Sequence, residues 1–162
     1  MLGYTKRMYS VSASLNEVVI LSAARTPMGS FRGSLQALPA PRLGAIAIQA
    51  AVERAGIAKE DVQEVYMGNV CQGGSGQAPC RQATLFAGLP VSTPTSLINK
   101  VCASGMKAIM LAAQNLQTGQ QEVMVAGGME SLSNVPYYLA RGELPYGGTK
   151  LIVSLTWKFF YH

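Results

Sequence analysis

A chain of 162 residues, 49% of them hydrophobic and 13% charged, carries enough apolar material for one domain and too much for a disordered segment. Seventeen Gly and eight Pro without a fixed period exclude collagen-like and coiled-coil architectures. The net charge of +5 is spread over thirteen Lys and Arg with no run of three, which argues against a nucleic-acid groove or a polybasic membrane patch and leaves a mild preference for an anionic small substrate.

Residues 1–16 hold Lys6 and Arg7, four Ser or Thr and no acid before Glu17, a composition open to two readings: the remnant of a mitochondrial transit peptide, or an ordinary frayed terminus. Val18-Val19-Ile20-Leu21 is a β-branched run that predicts a buried strand, followed by a loop through Gly29, Gly33 and Pro39. A helix is expected over residues 41–55, with Pro41 at its start, Leu43, Ile46, Ala47, Ala50 and Ala51 at helical spacing, and Gly56 as its stop. It is read as packing against a sheet. Residues 65–68 predict a second strand, residues 71–79 a glycine-rich connection, and residues 80–87 a short helix ended by Gly88.

A third strand is expected over residues 96–99, and the strongest helix over residues 103–117. There Met106, Ile109, Met110, Ala113 and Leu116 form one stripe, and Ala108, Leu111 and Ala112 make the flanks apolar too, so the helix is predicted to be buried nearly all round. Gly119 closes it, and residues 122–126 predict a fourth strand running into Gly127-Gly128. No internal repeat is visible. The alternation of strand and helix predicts an α/β fold with a mostly parallel sheet covered by helices. The longest charge-free stretch, residues 82–99, contains Pro90 and Pro94, so no membrane span is expected.

Cys71, Cys80 and Cys102 are odd in number, with neither a CxxC pair nor an upstream His, so neither a disulfide framework nor a metal site is expected. Gly73-Gly74-Ser75-Gly76 lacks the Lys-Ser/Thr of a P-loop and the third glycine of a dinucleotide fingerprint, and is read as a structural turn. Cys102 stands where a strand gives way to the strongest helix, among the small residues Ala103, Ser104 and Gly105. Orphan N–H groups and the positive end of the helix dipole would favour a thiolate there, and small neighbours leave room for a ligand that acylates it. The spacing is equally that of a small buried core cysteine. Cys71 and Cys80 are read as structural, and Lys100 and Lys107 as solvated charge.

Five segments carry a resemblance: Ser22-Ala-Ala-Arg-Thr-Pro27, Gly68-Asn-Val70, Gly76-Gln-Ala-Pro79, Asn99-Lys-Val-Cys-Ala-Ser-Gly-Met-Lys-Ala108 and Ala126-Gly-Gly-Met-Glu-Ser-Leu-Ser-Asn134. In this order and spacing they resemble the N-terminal part of a thiolase, over residues 17–151. The wording around Cys102, with Pro145-Tyr-Gly-Gly148 downstream, is similar to the mitochondrial branch that interconverts acetyl-CoA and acetoacetyl-CoA. The resemblance implies coenzyme A thioesters as substrates, no tightly bound cofactor, a homo-oligomer and a mitochondrial matrix location. It also implies that Cys102 is the nucleophile, carrying the acyl group as a thioester until the carbanion of a second acetyl-CoA attacks it. Residues 70–82 resemble a family stretch that helps form the dimer contact, which makes Gln77 and Arg81 interface candidates rather than ligands.

The family's base histidine for the nucleophile, its Asn-Glu-Ala-Phe loop, its second histidine and its second catalytic cysteine have no counterpart in this sequence, whose one histidine is His162. Residues 152–162 depart from the family wording and hold the one Trp and two of the four Phe. Val153, Leu155, Trp157 and Phe159 alternate with polar residues, a strand pattern read either as a patch for an open sheet edge or as a promoter of aggregation. The expected organisation is therefore a leader or frayed terminus over 1–16, a partial thiolase N-terminal domain over 17–151 and a divergent tail over 152–162. Two functional readings follow: an acyltransferase that turns over weakly as this truncated chain alone, and a non-catalytic fragment that pairs with full-length subunits. A hydrolase built on Cys102 is disfavoured because no base is at hand.

Overall fold

Three of the four predicted strands pair into one parallel sheet. The computed structural model describes residues 14–142 and 145–153. Its elements are α1 (Ala40–Ala55), β1 (Glu64–Gly68), α2 (Pro79–Phe86), β2 (Thr95–Ile98), α3 (Ser104–Gln117) and β3 (Met124–Gly128), with 3-10 turns at Lys59–Asp61 and Leu132–Asn134. The strand order is β2-β1-β3, and both pairings are parallel.

Period-two alternation along β1 assigns the two faces. Val65 and Met67 are buried in a cluster with Cys80 and Ala83 from α2, Ala87 at its end, and Ile48 and Val52 from α1. Tyr66 points the other way, where Asn115 Nδ2 of α3 donates to its hydroxyl at 2.9 Å. The crossover from β1 to β2 and that from β2 back to β3 run in opposite directions along the sheet. A right-handed connection then puts α2 and α3 on opposite faces, as observed.

The predicted packing of α1 on the sheet is refined: α1 lies chiefly on α2, and its Ile48 and Val52 join the core cluster that Val65 and Met67 of β1 enter. Gly44 faces Ala83 and Met129, and a β-carbon there would come within 2.6 Å of the Met129 sulfur. The side chain of Met129, from beyond the end of β3, thus occupies the space that brings α1 down on α2. The buried face of α1 is Ala40, Pro41, Gly44, Ala45, Ile48 and Val52, rotated from the predicted stripe, and Ile46 is 49% exposed. The helix ends at Gly56, whose left-handed φ of 67° suits glycine.

Two further expectations are corrected. Residues 18–21 form no strand and pair with none among the described residues, and Val19, Ile20 and Leu21 are exposed. Asn16 N–H donates to the Gln117 carbonyl of α3 and Ser22 Oγ to the Ala51 carbonyl of α1, so bonds to the two helices fix this segment and the sheet ladder does not. Helix α3 is not buried all round either: Ser104, Ala108 and Ala112 face the sheet, while Met106, Ile109 and Met110 are 69%, 51% and 51% exposed. Small residues mark the side that approaches the sheet closely, and the larger ones lie on a face that no described element covers.

Cys80 is core, as expected. Its Sγ lies 3.5 Å from the Val65 carbonyl oxygen, and burial pushes its thiol up from 9.0 to about 11. A thiol held protonated in the fold contributes stability below pH 9 and loses it as pH rises from 9 through about 11. The melting temperature should therefore fall over that range more steeply for the parent chain than for Cys80→Ala, as read by circular dichroism.

The start of the tail finds a partner away from the sheet. Tyr138 and Ile152 exchange backbone bonds of 2.7 and 2.9 Å in an antiparallel bridge. Residues 1–13 of the leader or frayed terminus expected over 1–16, and residues 154–162 with Trp157 and His162, lie outside the described residues.

Candidate active site

In a parallel sheet the carboxyl ends of all strands point one way, and the loops that leave them share one edge. Here those loops are residues 69–78 after β1, 99–103 after β2, and 129–131 after β3. Cys102 lies in the second and is exposed. Expected from spacing as nucleophile or core residue, it is no part of the core.

Three glycines bring the loops together. A β-carbon on Gly68 would stand 2.4 Å from Gly105 N and from the Ser104 carbonyl carbon, and one on Gly128 would stand 3.2 Å from Gly105 Cα. Only bare backbone allows β1, β3 and the first turn of α3 to approach this closely. The site therefore sits on the rigid carboxyl edge of the sheet.

The Cys102 turn is held by its neighbours. Ser104 Oγ accepts the Lys100 N–H at 2.8 Å and donates to the Val101 carbonyl at 2.5 Å. Asn99 Oδ1 accepts the Val101 N–H at 3.0 Å. These bonds accompany a Val101 φ of 49°, a left-handed conformation that costs a β-branched residue about 1–3 kcal/mol. Strain here directs the next residue, Cys102, outward. Helix α3 starts without a side-chain cap and without an acid in its first turn, which leaves its positive end to a negative group beside Cys102. Ser104→Ala should cost about 1–3 kcal/mol by stranding groups that its buried hydroxyl satisfies, seen as a lower urea midpoint at unchanged m.

The other candidates fall into place around this turn. Cys71, half-buried in the glycine-rich loop, donates its backbone N–H to Glu130 at 3.1 Å. That loop turns through Gly74 and Gly76 at φ of 74° and 78°, in keeping with a structural turn. Arg81 directs its guanidinium to the carbonyls of Val91 and Thr93, and Gln77 is exposed, its carbonyl accepting from Gln82. Lys100 is exposed and Lys107 half-buried. Arg25 and Thr26 come to the end of β3, where with Gly128 and Glu130 they line a cavity of about 150 Å³. Among the described residues no cluster of His, Cys, Asp or Glu is arranged to hold a metal.

Sequence reasoning gave no role to Asn69 and Glu130. Asn69 is 1% exposed, and its Nδ2 donates to the Met129 carbonyl at 3.2 Å and to Glu130 Oε1 at 2.8 Å. Glu130 Oε2 accepts the Val70 N–H at 2.9 Å. The signal was local: Asn69 directly follows the Gly that ends β1, and Glu130 lies two residues beyond the Gly that ends β3.

Comparison with known proteins agrees with this geometry. The family model for the thiolase N-terminal domain matches residues 18–157. Acetyl-CoA acetyltransferase B, mitochondrial, of Xenopus laevis is 69% identical over 150 residues, which are 93% of this chain and 36% of that protein. The human mitochondrial acetyl-CoA acetyltransferase is 68% identical over 148 residues, 91% of this chain and 35% of its own length. The Acat5 thiolase of Ascaris suum, crystallised in complex with coenzyme A, superposes with a TM-score of 0.82 at 43% identity, over 84% of this chain and 36% of that one. The chain thus spans about a third of the length of the relatives it matches. A family model matched across the whole sheet and the Cys102 turn makes this chain a member of the thiolase family, carrying part of its N-terminal domain.

Proposed function

We propose that this chain is the nucleophile-bearing part of an acetyl-CoA C-acetyltransferase, which joins two acetyl-CoA into acetoacetyl-CoA and coenzyme A and runs the reverse thiolysis. The observation that carries this is the exposed Cys102 on a strained turn at the uncapped start of α3. In the first half-reaction Cys102 Sγ attacks the thioester carbonyl. The bond to the coenzyme A sulfur breaks, and the acetyl group remains on Cys102 while coenzyme A leaves as its thiol. In the second, a base takes a proton from the methyl carbon of another acetyl-CoA, the new carbanion attacks the acetyl carbonyl, and the bond to Cys102 breaks.

The first half-reaction needs a nucleophile and donors for the oxyanion; the second also needs a positioned base. Of these this chain offers the nucleophile, the exposed Cys102, and, among its described residues, no histidine. Its own turnover is accordingly very weak. The names of the relatives and the acid-free start of the sequence support a mitochondrial location, and the neighbour solved with coenzyme A supports coenzyme A thioesters as substrates. The test is incubation of the purified 162-residue chain with acetyl-CoA and, separately, with acetoacetyl-CoA plus coenzyme A. One acetyl group found by mass spectrometry with little thiolysis is the expected result, and an unmodified folded chain overturns the proposal.

The exposed apolar face of α3, made by Met106, Ile109 and Met110, favours a second reading in which the chain pairs with full-length thiolase subunits and modulates them. Co-expression with a tagged full-length thiolase decides it. The second reading requires that the two chains purify together, and it fails if they do not.

A further inference from the structure

Asn69 binds the ends of all three strands. Its own residue extends β1, its backbone N–H donates to the Ile98 carbonyl at the end of β2 at 3.1 Å, and its side chain reaches Met129 and Glu130 beyond β3. Glu130 in turn takes the Val70 and Cys71 N–H groups, fixing the start of the glycine-rich loop. Asn69 Oδ1 is buried and finds no partner among the described residues, and a flipped amide would set that oxygen against the Met129 carbonyl and the Glu130 carboxylate. The amide orientation is therefore set by its two acceptors, at the cost of one stranded lone pair.

From Ile98 the chain passes directly into the Cys102 turn, where Asn99 holds Val101. From Gly68, immediately before Asn69, it packs on Ser104 and Gly105 beyond Cys102. Both sides of the turn are thus referenced to Asn69, whereas the apolar core lies along β1 against α1 and α2. We infer that Asn69 and Glu130 are positioning residues for Cys102, acting through the end of β2 and the first turn of α3 without touching the reacting atoms. The inference rests on the role proposed for Cys102.

The variants are Asn69→Asp, which sets a second carboxylate beside Glu130, and Asn69→Asp/Glu130→Gln, which removes the like charge and restores a donor between the two side chains while the Met129 carbonyl stays without its donor. Amide hydrogen exchange on the full 162-residue chain reads the geometry without chemistry. In Asn69→Asp the Lys100 and Val101 amides should exchange about tenfold faster or more, the Thr118 and Gln120 amides at the far end of α3 should not change, and the double variant should recover in part. Acetylation of Cys102 by acetyl-CoA should fall about tenfold or more in step, while its alkylation by iodoacetamide, which needs only an exposed thiol, stays within about twofold. Unchanged exchange at Lys100 and Val101, or a double variant as impaired as the single one, overturns the inference. A parent chain that is alkylated but never acetylated refutes the role of Cys102 instead, and the exchange data still decide the positioning. If Asn69→Asp does not fold, Glu130→Gln, which keeps one acceptor and the side-chain volume, takes its place under the same criteria.

Discussion

Cys102→Ser should abolish acetyl transfer to the chain, lowering the rate of covalent acetylation by at least about a hundredfold, the scale on which a hydroxyl depends on a positioned base. A thiol ionises near neutral pH and attacks a thioester as its thiolate. A serine hydroxyl does so only when a base takes its proton, and residues 99–107, which form the Cys102 turn and the start of α3, include no histidine or carboxylate. The other thiols offer no general escape: Cys80 is 1% exposed with its thiol pushed up to about 11, and Cys71 is half-buried. Peptide mapping after incubation with acetyl-CoA checks the result. An acetyl group retained at the parent rate in Cys102→Ser would move the nucleophile elsewhere.

Gly68→Val should be the most damaging single change in the fold. Its β-carbon would stand 2.4 Å from two backbone atoms of α3, and backbone cannot swing aside as the end of a side chain does. Relief requires α3 to lift from the sheet, which separates Gly105 from Gly128 and displaces the Cys102 turn. Overpacking typically costs about 1–3 kcal/mol, and a contact this short with a β-branched side chain lies at or above the top of that range. For a chain of this size about 3 kcal/mol corresponds to a melting temperature lower by roughly 6–12 °C. Gly127→Ala is the matched control, because its β-carbon would meet the flexible Met67 sulfur at an ordinary 3.5 Å. Calorimetry that found the two substitutions equally mild would show that α3 is not seated on β1 as described.

Helix α3 illustrates how far apolar pattern reaches. Its apolar stripe and flanks predict burial nearly all round, yet Met106, Ile109 and Met110 stand exposed. Pattern reports which surfaces gain from leaving water, and only an element packed on them removes that water. The run at residues 18–21 carries the same lesson, since a strand exists only through a partner's hydrogen bonds and none of the described strands pairs with it.

What the sequence determined by itself is the alternation of helices and strands, the parallel sheet and the turn around Cys102, because hydrophobic period, Pro41, Gly56 and the small residues beside Cys102 act over a few neighbours along the chain. What only the tertiary structure decided is the strand order, the seat of α1 on α2, and the joining of Asn69 to Glu130 across 61 residues. Those outcomes depend on which backbones can approach and which buried donors find acceptors, and such choices are made between segments far apart in sequence.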